Sequence, residues 1–343
     1  MSVLVEHVAQ SIPAWAGPAS HSSTEDRRCG DDDRKGAVVL SGTYGTSASR
    51  WFRLIRGCQA PRVRLVCFPH AGGAASFFRS WAGLVPDDVE LLAVRYPGRE
   101  DRLLEAPAEC MEELVDPLAE ACAALVGSPL ALFGHSMGAS VAFEVAVRLA
   151  ATSGGVRPEA LFLSGRSGPG AARPRGLADA SDEELIKDLV AMSGTNTQVL
   201  ANPELRELLL PAVRADYRLV ERYAAAVRGP VLDIPVFAYY GDQDDHVDAD
   251  SVNTWSAVTG STFAVRSFPG GHFYLEHHAA SLVADVFTGF LRGCPGLQAG
   301  EESDSCGAGQ GQPDRRQGDP ASTPHGRDAA HNGQELSTVS PPR

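Results

Sequence analysis

The sequence predicts an α/β fold, a mostly parallel sheet flanked by helices, and three observations carry that expectation. Short β-like apolar runs alternate with helical stretches between about residues 60 and 292. A serine stands between two glycines, Gly134-His135-Ser136-Met137-Gly138, directly after the apolar run Pro129 to Phe133. An aspartate cluster and a histidine then follow the ends of two later runs, in the order serine, acid, histidine.

The 343 residues are 43% hydrophobic, enough to bury a sizeable core. The first residues carry no basic start before an apolar run, and no stretch approaches the roughly 20 apolar residues of a membrane helix, so a cytoplasmic protein without membrane contact is expected. A net charge of −13 disfavours nucleic-acid partners. Seven cysteines form no C-x-x-C pair and are odd in number, which argues against a disulfide framework and a zinc site. No metal and no cofactor is expected, and the chain is read as a monomer.

Taken in order, residues 1 to 55 carry a mixed charge cluster, Glu25 to Lys35, and little periodicity; they read as a disordered extension, with Trp51, Phe52 and Leu54 marking where order begins. The domain is placed at residues 56 to 292. Val63 to Phe68 is its first strong strand and Leu91 to Val94 the next. A helix from about Glu109 to Leu125 puts Met111, Leu114, Val115, Leu118 and Cys122 on one stripe. Leu130 to Phe133 precedes the serine turn, and small residues open the helix after it. Ala160 to Ser164, Val236 to Tyr240 and Thr262 to Phe268 are further strands, and a last helix runs from about Tyr274 to Leu291.

Between Ser164 and Val236 lies a helical insertion, about residues 166 to 230. Ser181 to Glu184 reads as a capping box, Pro211 is expected to break or kink the following helix, and Val213, Tyr217, Val220 and Ala224 form a second stripe. Its position suits a lid over the serine; the alternative is additional core. Residues 293 to 343 contain no Phe, Trp or Tyr and read as a disordered tail.

The chemistry points to acyl transfer. A serine on a sharp strand-to-helix turn needs flanking glycines, a base to take its proton, and an acid to orient the base. Ser136 is the nucleophile, and His272, in a Gly-Gly-His-Phe turn after the last strand, is the base. Asp244, in G-x-x-D spacing after Val236 to Tyr240, is the first choice for the acid, with Asp242 the alternative. A calcium loop starting at Asp242 fails, because Val247 stands where glycine is needed and Asn253 where glutamate is. His70, His246, His277 and His278 are set aside as bases. The oxyanion needs two backbone N–H donors; Met137 supplies one, and Ala71, in the His70-Ala71-Gly72-Gly73 turn, is best placed for the other.

Five segments in order, Phe68 to Phe78, Tyr96 to Glu100, Gly134 to Ala139, Arg214 to Tyr217 and Gly270 to Phe273, resemble the type II thioesterases that accompany modular polyketide and nonribosomal peptide synthases. The resemblance covers roughly residues 60 to 292. It implies the α/β-hydrolase fold with a lid, and an editing enzyme that clears aberrant acyl groups from the phosphopantetheine of acyl or peptidyl carrier proteins. It also implies the same triad, Ser136, Asp244 and His272, with Ala71 and Met137 as the oxyanion hole. A carrier would dock through a local basic or apolar patch, for which Arg173, Arg175 and Arg214 are candidates. A small-molecule ester or amide hydrolase with the same triad is the nearer rival, and a noncatalytic binding protein the farther one.

Overall fold

The computed structural model describes residues 49–193, 202–224 and 232–294. Most of the expected extension and nearly all of the expected tail lie outside these residues. Seven strands form one sheet in the order β1-β3-β2-β4-β5-β6-β7. They are β1 (Phe52–Arg56), β2 (Val63–Phe68), β3 (Val89–Val94), β4 (Leu130–His135), β5 (Pro158–Ser164), β6 (Val236–Gly241) and β7 (Phe263–Phe268). Every pairing is parallel except β1 with β3. The helices are α1 (Met111–Ala123), α2 (Met137–Ala151), α3 (Asp182–Ser193), α4 (Pro203–Ala224), α5 (Ala249–Asn253), α6 (Tyr274–His277) and α7 (Ala279–Gly293).

Because strand side chains alternate between faces and this sheet is covered on both, β2, β3 and β4 are buried at every position. Val66, Leu92, Leu132 and Leu163 face α1 and α2, packing on Val115, Leu118, Val141 and Val145. Leu65, Leu91, Phe133 and Phe162 face the other way, onto Phe78 and Trp81 of a 3₁₀ segment (Ala75–Gly83) and onto Leu282, Val286 and Phe290 of α7. A third, smaller cluster of Ala178, Leu185, Leu210, Val213 and Tyr217 belongs to the insertion, and Ala71 packs against it.

Four expectations need correction. The bound of the extension at residue 55 is too late: structure begins where Trp51, Phe52 and Leu54 marked it, and Phe52–Arg56 is β1, an edge strand whose arginines interrupt its apolar run. Arg56 there donates to the Val85 carbonyl at 2.6 Å. Gly293 and Cys294, assigned to the tail, belong to the fold, because Gly293 closes α7 and Cys294 is buried. Pro211 does not break its helix; α4 runs unbroken for 22 residues through it. Proline removes one backbone donor there, and the burial of Leu210, Val213 and Tyr217 in the insertion cluster outweighs that loss. The last helix is instead divided at His278 into α6 and α7. The capping box forms as read, with Glu184 N donating to Ser181 Oγ at 3.2 Å and Ser181 N to Glu184 Oε2 at 3.0 Å.

Candidate active site

Ser136 sits at the junction of β4 and α2 with φ 54° and ψ −117°, a conformation that costs a non-glycine residue on the order of 1–3 kcal/mol. The turn survives because its surroundings leave no alternative. A Cβ on Gly134 would fall 2.1 Å from the Gly138 carbonyl oxygen, and one on Gly138 would fall 2.0 Å from that of Phe68. Ser136 N donates to the Ser164 carbonyl at 2.7 Å, which ties the elbow to the end of β5. The serine itself is half-buried.

His272 follows β7 and is 8% exposed. Its Nδ1 donates to Asp244 Oδ2 at 2.7 Å. Asp244 follows β6, and its other oxygen accepts from the His246 amide at 2.9 Å. Burial pushes the Asp244 carboxyl up, but the hydrogen bond from His272, the charge of that ring and the His246 amide outweigh it and hold it below the usual carboxylate range. Asp242 is exposed and accepts instead from Gly270 N at 3.0 Å, so it braces the loop that carries His272. Asp248 caps α5 through Ser251 N at 2.7 Å. The acidic run therefore divides into three separate tasks. Among the described residues no group of three or more His, Cys, Asp or Glu is placed to hold a metal, and no helix is long and apolar enough to cross a membrane.

Two further histidines stand close by. The His135 ring lies 5.1 Å from that of His272, centroid to centroid, and 6.1 Å from that of His70. His135 Nδ1 is 2.9 Å from Ser164 Oγ, which is 2.6 Å from the Tyr274 hydroxyl. Gly165 makes room for the pair, since a Cβ there would lie 2.6 Å from His135 Cε1 and 3.4 Å from His272 Cε1. Burial, then the charges of His272 and Arg99, pushes His70 down to about 3; burial, then His272 and His70, pushes His135 well below 6.5. Both rings are neutral where His272 would work. A histidine held neutral takes up its proton only on unfolding, so its stabilisation is complete above 6.5 and is lost as pH falls toward 3. His70→Gln is expected to flatten the fall of unfolding free energy with pH in that window by up to about 1.4 kcal/mol per pH unit, measured by urea titrations at a series of pH values; parallel slopes in the two proteins would refute it.

Met137 directly follows the serine, and Ala71 lies at the carboxyl end of the neighbouring strand β2. Met137 opens α2, and Ala71 lies in the loop after β2, closed by Gly73 N donating to the His70 carbonyl at 2.9 Å. The structure thus gathers Ser136, Asp244, His272, Ala71 and Met137 at the carboxyl ends of β4, β6, β7 and β2 and the first turn of α2. Two of the three arginines named for docking are otherwise engaged, while Arg173 is exposed. Arg175 pairs with Asp188, and Arg214 bonds the carbonyls of Ala178 (2.8 Å) and Ala180 (2.7 Å) and the Asp182 carboxylate (2.6 Å).

The profile of the Thioesterase domain matches residues 63–289, which span all of the strands but β1. The chain belongs to the thioesterase domain family. It is a hydrolase acting on thioesters. Over 248 residues this thioesterase is 39% identical to the thioesterase PikA5 of Streptomyces venezuelae, covering 71% of this chain and 88% of that one. It is 35% identical to the gramicidin S biosynthesis protein GrsT of Aneurinibacillus migulanus, covering 68% and 91%. Among solved structures, the type II thioesterase BorB from the borrelidin biosynthetic cluster superposes with a TM-score of 0.65 at 38% identity, covering 70% of this chain and 97% of that one. The sheet and its flanking helices are those of the α/β-hydrolase fold.

Sequence reasoning did not assign roles to Ser164 and Tyr274, which buttress His135, or to Arg99 and Asp216. Asp216 carried a readable signal, because it interrupts the apolar stripe of Val213, Tyr217 and Val220.

Proposed function

We propose that the chain is a type II thioesterase that removes acyl groups from the phosphopantetheine thiol of acyl or peptidyl carrier proteins in polyketide or nonribosomal peptide synthesis, through an acyl-enzyme on Ser136. The observation that carries the chemistry is the 2.7 Å bond from His272 Nδ1 to a fully buried Asp244 carboxylate, beside a strained, half-buried serine. The family and the biosynthetic names of its relatives support the substrate class.

With Nδ1 committed to Asp244, Nε2 of His272 takes the Ser136 proton as Oγ attacks the thioester carbonyl. The tetrahedral oxyanion accepts from the Ala71 and Met137 amides. Collapse breaks the C–S bond, and the protonated imidazole returns its proton to the leaving thiolate. Water, deprotonated by the same nitrogen, then attacks the acyl ester; the acid leaves and Oγ regains its proton. The insertion of α3 and α4 acts as a lid over the acyl chain.

Incubating the protein with an acyl-carrier thioester is expected to produce hydrolysis and, on rapid quenching, a mass increase of one acyl group on the Ser136 peptide. The carrier thioester should exceed an aryl ester of the same acyl group in kcat/KM. Preference for the aryl ester would favour a small-molecule esterase, and turnover without an adduct would sink the acyl-enzyme.

A further inference from the structure

Of the buried charged residues outside the mechanism above, two meet at the Ala71 loop. Arg99, in the loop after β3, and Asp216, on α4 of the insertion, are 6% and 4% exposed. Arg99 Nη1 donates to Asp216 Oδ2 at 2.6 Å and Nη2 to Oδ1 at 2.8 Å, a two-armed pairing. The pair does not close on itself. Asp216 Oδ2 also accepts from Gly72 N at 2.7 Å, and Arg99 Nη1 also donates to the Gly73 carbonyl at 3.1 Å. Consecutive residues of the loop that carries Ala71 are thus held by an acceptor from the insertion and a donor from the β3 loop. Gly72 has φ 74°, and a Cβ there would lie 3.2 Å from Val213 Cγ2, so the insertion helix rests directly on this loop. On its far side the loop is held by Tyr96, whose hydroxyl donates to the Pro69 carbonyl at 3.3 Å.

An amide stabilises an oxyanion only if its direction is fixed before the charge develops. Ala71 is followed by two glycines, whose backbones would otherwise sample a wide range of φ and ψ. We propose that Asp216 is a positioning residue, a carboxylate on the lid that, locked by Arg99, anchors Gly72 and so aims the Ala71 amide at the oxyanion. Seating the lid and assembling the oxyanion hole are then one event. A raised lid admits the acyl arm but withdraws the acceptor from Gly72, so cleavage waits for closure. The proposal rests on the reading of Ser136 as the nucleophile and Ala71 as an oxyanion donor.

Asp216→Asn is expected to lower kcat about 10- to 100-fold, less than the 10²–10³ of deleting a donor outright, with KM changed less than about threefold. Affinity for a boronic acid, which mimics the tetrahedral state, should fall by the same factor as kcat/KM. A second variant separates positioning from stability. Arg99→Met with Asp216→Leu removes both buried charges together, which restores the melting temperature but not the acceptor for Gly72; its kcat should stay low. Recovery of kcat along with stability would overturn the proposal, as would an Asp216→Asn defect confined to KM. Ser136→Ala is the control. If it stays active, the nucleophile assignment fails; if it is dead while both Asp216 variants turn over normally, only this inference fails. Should neither variant fold, hydrogen exchange on the wild-type chain decides. The Gly72 amide should open with the same free energy as the α4 amides around Asp216, and faster exchange at Gly72 alone would refute the coupling.

Discussion

Ser136→Ala should lower turnover of an acyl-carrier thioester by roughly 10⁴- to 10⁶-fold, the range seen when a nucleophile is removed from a set of residues that act as one unit. The fold should not change. The positive φ of 54° is imposed by Gly134, Gly138 and the bond from Ser136 N to the Ser164 carbonyl, none of which involves the hydroxyl. Alanine at this position carries the same backbone strain as serine, so its melting temperature should match that of the wild type. Glycine does not carry that strain, and Ser136→Gly should melt higher, by an amount corresponding to roughly 1 kcal/mol, while being equally inactive. An active, destabilised residue and an inactive, stabilised one at the same position are what a strained nucleophile implies. Thermal unfolding of the three proteins beside the thioester assay checks both parts. Residual turnover within about a hundredfold of wild type would remove Ser136 from the mechanism.

The central strands were legible because they are buried on both faces and so are written as mainly apolar runs; Val63–Phe68 and Leu130–His135 need no tertiary information to be found. Edge and insertion elements were harder to read for the opposite reason. Phe52–Arg56 pairs on one side only, and Arg53 and Arg56 interrupt its short apolar run, so the pattern is diluted just where the chain joins the fold. Pro211 reads as a breaker in any local account, yet the packing of α4 on the insertion cluster is a long-range fact. The site divides in the same way. Glycines forced by backbone crowding and a histidine after a strand are local, and these marked Ser136 and His272. The 117-residue separation of Arg99 from Asp216 is not local. Beyond the two resembling segments that contain them, the trace in the sequence was an aspartate on an otherwise apolar stripe, a residue that burial forbids unless a partner waits for it.

The choice between Asp244 and Asp242, which spacing left open, becomes a quantitative expectation once their partners are known. Asp244→Asn should lower kcat/KM by about 10⁴-fold, because an amide facing Nδ1 can donate to it, which favours the tautomer whose Nε2 carries a proton and cannot accept one from Ser136. The side chain of Asp244 is fully buried, so no water takes over the lost role. Asp242→Asn should cost less than about tenfold, since its Oδ1 accepts only from the Gly270 amide and an asparagine oxygen accepts equally well. The two variants also part in acid. A carboxyl held below 3.8 by its native partners stabilises the fold above that value and loses the contribution as pH falls beneath it. Asp244→Asn should therefore lack part of the acid-induced loss of stability seen in the wild type below pH 3.8. Kinetics on one acyl-carrier thioester and unfolding titrations down to pH 3 measure both effects. If Asp242→Asn proves the more damaging in kcat/KM, the acid moves to Asp242, and the bond from His272 to Asp244 becomes a brace for the loop rather than the source of the base.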